Sequence, residues 1–368
     1  MKERRQIVRL WRQGSAAVLV TLIKVAGSSY RQVGARLLLD AKGTYAGTIS
    51  GGCLETELTR KAAWLVRDGA TVERYSTAFE DTEEIPFGLG CGGIVDLLVE
   101  PAESPECLAL MEAMEDSLRG NEATVVTWLP GEKKELRRVV FSSDGAVTFA
   151  SAGLDQETID GARGLLAGGT YEGRFVEELR APQRLFVLGA GDDARPLVSI
   201  ASLLGWSVIV ADGRSQLARA ERFAEAERVV TLGEAGVREL GIRRNDAVVL
   251  MTHSYEQDRE ILASLLPMAP GYMGLLGARH RSSLLVSEAA AMIGWTVEEC
   301  CALIHAPVGL DLGGDGPEAI ALAVIAEVQA CCQGKMGVSR RLTAESVARQ
   351  IELGGASRYL QVQCAMEQ

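Results

Sequence analysis

One stretch limits the fold of this chain more than any other: RLFVLGAGDDARPLVSIASLLGWSVIVADGR, residues 184–214. RLFVLG reads as a short buried strand, GAGDDA as a tight glycine turn, RPLVSIASLLGW as a helix and SVIVADGR as a second strand closing on an acid. Gly189, Gly191 and Ala194 fall in the spacing G-x-G-x-x-A. The first glycine permits the turn, the second lets backbone approach a ligand, and the small third residue packs helix on strand. Asp212 ends the second strand, where a ribose-binding acid stands in that fingerprint. The alternation continues through ERVVTL, DAVVLMTH, a helix over EQDREILASLLP, GYMGLLG and a helix from Ala278. A strand–helix succession of this kind predicts a Rossmann-like, doubly wound parallel sheet.

The fold is better defined than the ligand. Asp192 and Asp193 lie inside the turn, where inward-facing carboxylates oppose a pyrophosphate and offset the helix dipole. Two alternatives therefore stay open for Gly189, Gly191, Ala194 and Asp212: a site for NAD(P) or another nucleotide, or a turn kept for packing.

The first half of the chain alternates strands and helices without a parallel pattern, which predicts an α+β domain. AAVLVTLIKV (16–25) reads as a buried strand, and LLLD and TYAGTI as hairpin arms around Ala41-Lys42-Gly43. CLETELTRKAAWLVRDG carries Leu54, Leu58, Ala62 and Leu65 on one helical stripe, with Gly69 as its stop. ATVERYST and GGIVDLLVE are further strands, joined by STAFEDTEEIPFGLGCGG, an acidic and then glycine-rich loop. From about 103 the pattern is helix, strand, hairpin (turn at Asp144-Gly145) and helix. A polar stretch, GGTYEGRFVEELRAPQ, then leads into the second domain. The domains are expected at 1–180 and 181–334, with a tail over 335–368.

Composition narrows the function classes. A 368-residue chain with 47% hydrophobic and 24% charged residues matches a folded, two-domain protein. A formal net charge of −11 argues against nonspecific binding of nucleic acid or an anionic membrane. No apolar run approaches the roughly 20 residues of a membrane helix. MKERRQIVRLWRQG has no apolar core of a signal peptide and reads as an amphipathic helix, so a cytoplasmic location is expected.

Of the eight cysteines, the adjacent pairs Cys300–Cys301 and Cys331–Cys332 are expected to pack in helices, since neighbouring side chains point to different faces. Cys107 and Cys364 have no special context. Cys53 and Cys91 remain, each set among glycines. If a helix starts near Gly52, Cys53 lies in its first turn, where unpaired N–H groups favour a thiolate. Glu55 and Glu57 push the other way, or serve as ordinary first-turn acids. Ser28, Ser29, Arg31 and Arg36 in SSYRQVGAR add anion-binding groups. Thiols, guanidinium groups and open amides suit a ligand with sulfur or metal chemistry and a phosphate. Glycine turns serving only the fold are the alternative. The histidines form no metal or triad spacing and are each expected to be satisfied structural residues, with His253, which follows a strand at a carboxyl end, as the best exception.

GSSYRQVGARLLLDAKGTYAGTISGGCLETEL resembles the signature of the XdhC/CoxI family, accessory proteins for xanthine dehydrogenase-type and CO dehydrogenase-type molybdenum enzymes. The resemblance extends through FGLGCGGIVDLLVE, FVLGAGDDARPL, YMGLLGARHR and HAPVGLDLGGDGPEAIALAVIAEV. At the last of these, Asp315 or Gly316 caps a helix whose first turn holds Pro317. The resemblance implies a protein that binds molybdenum cofactor (molybdopterin), helps it receive its terminal sulfur and delivers it. It makes Cys53 and Cys91 candidate ligands of molybdenum or carriers of sulfur, beside Arg31 and the Gly51-Gly52 turn. On this view Arg31 and the turn amides hold the pterin phosphate. The implied partners are a cysteine desulfurase and a xanthine dehydrogenase-type molybdoenzyme, and a homodimer is the default assembly.

Three functional readings follow. A molybdenum-cofactor chaperone accounts for both clusters of motifs. An NAD(P)-dependent oxidoreductase rests on the glycine fingerprint and leaves GTISGGCLE unexplained. A thiol redox or metal-binding protein rests on Cys53 and Cys91 and leaves the Arg-Ser cluster unexplained.

Overall fold

The computed structural model describes residues 1–27, 29–76, 94–131, 135–165 and 168–337. Among the described residues the chain separates into two compact units, one over Lys2–Ala181 and one over residues 182–337. The first is an α+β unit and the second a Rossmann-like parallel sheet.

In the first unit, α1 (Lys2–Trp11) precedes β1 (Ala16–Ala26), β2 (Arg36–Asp40) and β3 (Tyr45–Gly47). They are followed by α2 (Cys53–Leu65), β4 (Thr71–Ser76) and β5 (Ile94–Pro101). These strands form an antiparallel sheet in the order β3-β2-β1-β5-β4. Side chains alternate across the pleat. Val18, Val20, Leu22, Leu37, Leu39, Leu97 and Val99 face Leu54, Leu58, Ala62 and Leu65 of α2. Leu19 and Leu38 face the other way, toward Ile7, Val8 and Leu10 of α1. The stripe read from the sequence is thus the buried face of α2. The helix ends at Leu65, before the expected stop, and Gly69 with φ 116° lies in the turn that follows.

A second antiparallel sheet follows, from β6 (Ala123–Trp128), β7 (Arg137–Ser142), β8 (Val147–Ala150), β9 (Gly169–Tyr171) and β10 (Arg174–Leu179), with α3 (Pro105–Leu118) and α4 (Gln156–Ala162). Its order is β8-β7-β6-β10-β9. Val125, Val140 and Leu179 pack with α3, and Val126, Val139, Phe141 and Val176 with α4. The stretch at 168–183, expected to be only a polar connection, instead supplies two strands. Glu172 and Gly173, with φ 48° and 74°, make the hairpin turn. Phe175, Val176 and Leu179 carry enough apolar surface to bury β10 despite the charges between them.

An ion pair lies inside this unit. Arg138 on β7 meets both carboxylate oxygens of Glu100 on β5 at 3.0 and 3.1 Å, and also donates to Thr127 Oγ1 and the Glu106 carbonyl. Each partner is 1% exposed or less. Charges so deeply buried persist only when paired and hydrogen-bonded throughout.

The second unit comprises β11 (Arg184–Leu188), α5 (Ala194–Leu203), β12 (Ser207–Asp212), β13 (Arg228–Thr231), β14 (Ala247–Leu250), α6 (Tyr255–Leu265), β15 (Tyr272–Leu275), α7 (Arg279–Ile293), α8 (Val297–Cys301) and α9 (Pro317–Cys332). The strands are all parallel, ordered β13-β12-β11-β14-β15. Leu185, Val187, Val208, Val210 and Val249 pack against α5 and α9 on one face. Phe186, Leu188, Ile209, Val248 and Leu250 pack against α6 and α7 on the other. The sheet is covered on both sides, as its unbroken apolar strands require. Gly316 caps α9 with Pro317 in the first turn.

The cysteine pairs differ from expectation. Cys300 is buried and Cys331 half-buried, but Cys301 and Cys332 are exposed, because a helix turns adjacent residues about 100° apart. No helix among the described residues is long and apolar enough to cross a membrane.

Candidate functional site

The segment GTISGGCLE folds around one carboxylate. Glu55, in the first turn of α2, is 2% exposed and reaches back over the preceding turn. Its Oε1 accepts from the amides of Ile49 at 2.7 Å and Ser50 at 2.8 Å, and from Thr48 Oγ1 at 2.5 Å. Its Oε2 accepts from Ser50 Oγ at 2.6 Å and the Gly52 amide at 2.8 Å. Burial alone would raise its pKa. The Ser50 and Thr48 donors outweigh that and bring it down to about 2. Glu55 is therefore the organiser of the turn, a role the sequence reading missed. The signal was a carboxylate three residues after the helix cap, within reach of a run of Ser, Thr and Gly amides.

Further donors of the turn are used internally as well. The Gly51 amide donates to Thr48 Oγ1 and the Leu54 amide to Ser50 Oγ. The amides of Gly51 and Gly52, offered to a phosphate in the sequence reading, are thus committed within the turn. Both glycines have positive φ, 84° and 124°. A Cβ on Gly51 would lie 3.2 Å from the Tyr30 ring, while one on Gly52 would meet nothing within 4 Å among the described residues. The fold therefore brings Tyr30 of the SSYR motif against Gly51 of the GTISGGCLE motif.

Cys53 opens α2, its backbone alone being described. Ser28 and Cys91 lie outside the described residues, as does the glycine-rich loop that carries Cys91. Ser29 is half-buried beside Tyr30. Arg31 pairs with Glu3 of α1 through Nη2. Arg36 departs from its expected anion-binding role: it is buried, paired with Glu177 of β10 and bonded to the Gly34 carbonyl. A guanidinium so enclosed holds two sheets together and is not offered to a ligand.

In the second unit the glycine turn is explained largely by packing. A Cβ on Gly189, where φ is 127°, would stand 2.3 Å from the Met251 carbonyl oxygen. Ala194 is fully buried in the core of the α5 face. Asp212 is fully buried, and its oxygens accept from the Ala190 amide, the Arg214 amide and two nitrogens of the Arg214 side chain. A ribose hydroxyl would have to displace Arg214 to reach it. Asp192 and Asp193 turn aside to Arg222 and His253, at 2.8 and 2.7 Å. His253 has φ 64°, an uncommon conformation for a residue other than glycine, at the carboxyl end of β14.

Two further clusters lay beyond the sequence reading. Asp258 accepts from Thr252 Oγ1 at 2.5 Å and Arg281 Nη2 at 2.6 Å. Tyr272 donates to Glu327 at 2.5 Å and stacks on His305 with ring centroids 4.5 Å apart. Burial pushes the Tyr272 hydroxyl well up, and the neighbouring Glu327 adds to the shift. Arg281 and Glu327 reach their partners across 23 and 55 positions, so no local spacing announces these contacts. Among the described residues, no group of three or more His, Cys, Asp or Glu side chains is placed to hold a metal ion.

Comparison with known proteins agrees with this two-part architecture. The pattern of the XdhC and CoxI family matches residues 10–76, and that of the XdhC Rossmann domain matches residues 185–328. The chain is 30% identical over 333 residues to a probable xanthine dehydrogenase subunit of Bacillus subtilis (strain 168), covering 85% of this chain and 92% of that one. It is 25% identical over 322 residues to the molybdenum cofactor insertion chaperone PaoD of Escherichia coli (strain K12), covering 86% and 83%. The crystal structure of a xanthine dehydrogenase from Bacillus halodurans superposes with a TM-score of 0.78 at 26% identity, over 94% of this chain and 99% of that one. With an α+β unit carrying the Cys53 turn, a doubly wound second unit and relatives aligned across nearly their whole length, this chain belongs to the XdhC/CoxI family.

Proposed function

We propose that this protein is a molybdenum-cofactor chaperone: it takes up the cofactor as cargo, supports its sulfuration and inserts it into a xanthine dehydrogenase-type molybdenum hydroxylase. The observation that carries this reading is the turn before α2. It is fixed from within, brings Tyr30 against Gly51, and leads straight into Cys53. Similarity to PaoD along most of the chain supports the same reading.

The residues suit such a cargo. A thiolate is a soft ligand matched to sulfur-rich metal chemistry, and Cys53 stands at the N-terminus of a 13-residue helix, where negative charge is favoured. Cys91 is proposed as the second thiol, and Ser28 and Ser29 as further cofactor-binding residues. The pterin phosphate falls to Arg31, a planar fork with five N–H donors of which Nη2 is spent on Glu3. The amides of Gly51 and Gly52 are no longer part of that contact. A cysteine desulfurase as sulfur donor, and a homodimer, complete the proposal.

The protein acts in this reading as a carrier and not as a turnover enzyme. An NAD(P)-dependent oxidoreductase gains no support from Asp212, which is already saturated by Arg214 and two amides. The test is reconstitution: apo molybdenum hydroxylase is mixed with sulfurated cofactor, with and without this protein. Faster recovery of hydroxylase activity, dependent on the protein and scaling with its concentration, is expected. Recovery at the same rate without it would remove the chaperone reading.

A further inference from the structure

The turn over residues 48–52 is built like an anion-binding cradle. Three backbone N–H groups, at Ile49, Ser50 and Gly52, converge on one carboxylate from 2.7 to 2.8 Å, and two hydroxyls join them. Concavities of converging N–H groups beside a helix start commonly receive phosphate or carboxylate ligands. Here the occupant comes from the chain itself. An ordinary capping-box glutamate takes one N-cap amide. Glu55 takes that amide, from Gly52, and four donors more.

We propose that Glu55 is an internal anion that fills this cradle and is thereby the positioning residue for Cys53. The inference rests on the reading that Cys53 handles the cargo. The residues on both sides of Cys53 are tied to the one carboxylate. Gly52 donates directly to Oε2 at 2.8 Å. Leu54 donates to Ser50 Oγ, which in turn donates to Oε2. The backbone entering and leaving Cys53 is thus set by Glu55, in a turn whose two glycines hold φ values of 84° and 124°. A cradle filled from within also cannot take the anionic part of a cargo, so the thiol and the anion contact are separate in space.

The test uses the full chain with Glu55→Ala and Glu55→Gln, followed by two readouts. The first is the pH profile of Cys53 alkylation by iodoacetamide, read by peptide mass mapping, which needs no cargo. The second is retention of anaerobically prepared molybdenum cofactor. Without Glu55 the backbone on both sides of Cys53 is no longer tied to the turn, so alkylation near neutral pH is expected to rise about tenfold. Cofactor retention falls by about the same factor, the size expected for lost charge-assisted hydrogen bonds. Formate added to Glu55→Ala refills the cradle and reverses both changes, while sodium chloride at equal ionic strength does not. Should Glu55→Ala fold poorly, Glu55→Gln keeps the side-chain shape and carries the same alkylation and retention readouts. Variants that fold with unchanged alkylation and retention would overturn the proposal, as would Glu55→Ala changes indifferent to formate. If the wild type retains no cofactor, the chaperone reading fails, and the alkylation and formate arms still decide the role of Glu55.

Discussion

Asp212 and Arg214 are bound to each other twice, Arg214 Nε to Oδ1 at 2.9 Å and Nη2 to Oδ2 at 2.7 Å, at the carboxyl end of β12. The pair closes the place where the acid of a dinucleotide fingerprint would meet a ribose. Burial works to raise the Asp212 pKa, and the Arg214 and Ala190 donors overcome it, so the carboxyl lies below its ordinary range. Titration of NAD into wild-type protein is expected to leave its melting temperature unchanged. A rise of several degrees at millimolar NAD would mean that Arg214 yields and that the nucleotide reading stands.

The same pair contributes stability. Replacing Asp212 with Asn removes a fully buried charge and leaves its amide donors underpaired beside a partly exposed Arg214, for a loss of about 1–3 kcal/mol. Because the folded pKa is lowered, the contribution is present above the unfolded carboxylate range and fades as pH falls through the folded value. Urea unfolding of Asp212→Asn beside wild type at pH 7 and pH 3 measures both statements; equal midpoints at pH 7 would contradict them.

Glu55 gives a sharper pH dependence. Its pKa drops from an ordinary value near 4.5 to about 2 on folding. The difference corresponds to about 3 kcal/mol of stability at neutral pH. That contribution is complete above the unfolded pKa and is lost as pH falls from roughly 5 toward 2. Glu55→Gln is therefore expected to be less stable than wild type at pH 7, with the gap narrowing in acid. A gap that stays constant from pH 7 to pH 3 would show that the carboxylate charge has no part in holding the turn.

For the buried Arg138–Glu100 pair, the expectation depends on how it is broken. Glu100→Gln leaves a guanidinium without its counter-charge inside the first unit, at a cost of about 3–5 kcal/mol. Removing both charges with Glu100→Leu and Arg138→Met costs less than the single change, since no charge is left unpaired. Chemical denaturation of the single and double variants reads the difference. A double variant less stable than Glu100→Gln would mean that the Thr127 and Glu106 contacts of Arg138 outweigh the ion pair.

Local periodicity made much of the fold legible. The stripe Leu54, Leu58, Ala62 and Leu65 and the apolar runs of β11, β12 and β14 need only nearest-neighbour patterns, and each forms the face expected of it. The hairpin over 169–179 was hidden because Glu172, Glu177 and Glu178 interrupt its apolar residues. Glu177 reads as surface until Arg36, 141 positions away, is seen to pair with it. The candidate site was half legible. Glycine spacing marked the turn before Cys53, but its organiser reads as an ordinary helix-dipole acid, since hydrogen bonds from five different groups to one carboxylate leave no periodic trace. Arg36 and Asp212 mislead for the same reason. A sequence gives their charge but not the partner that consumes it.

The chaperone account stands most directly on Cys53. The measurement is equilibrium binding of anaerobically prepared molybdenum cofactor to the purified protein, wild type beside Cys53→Ala, with circular dichroism to establish that both are folded. The account predicts that wild type binds the cofactor and that Cys53→Ala, equally folded, does not retain it. Equal retention by the two proteins would contradict the account and take Cys53 out of the cargo site.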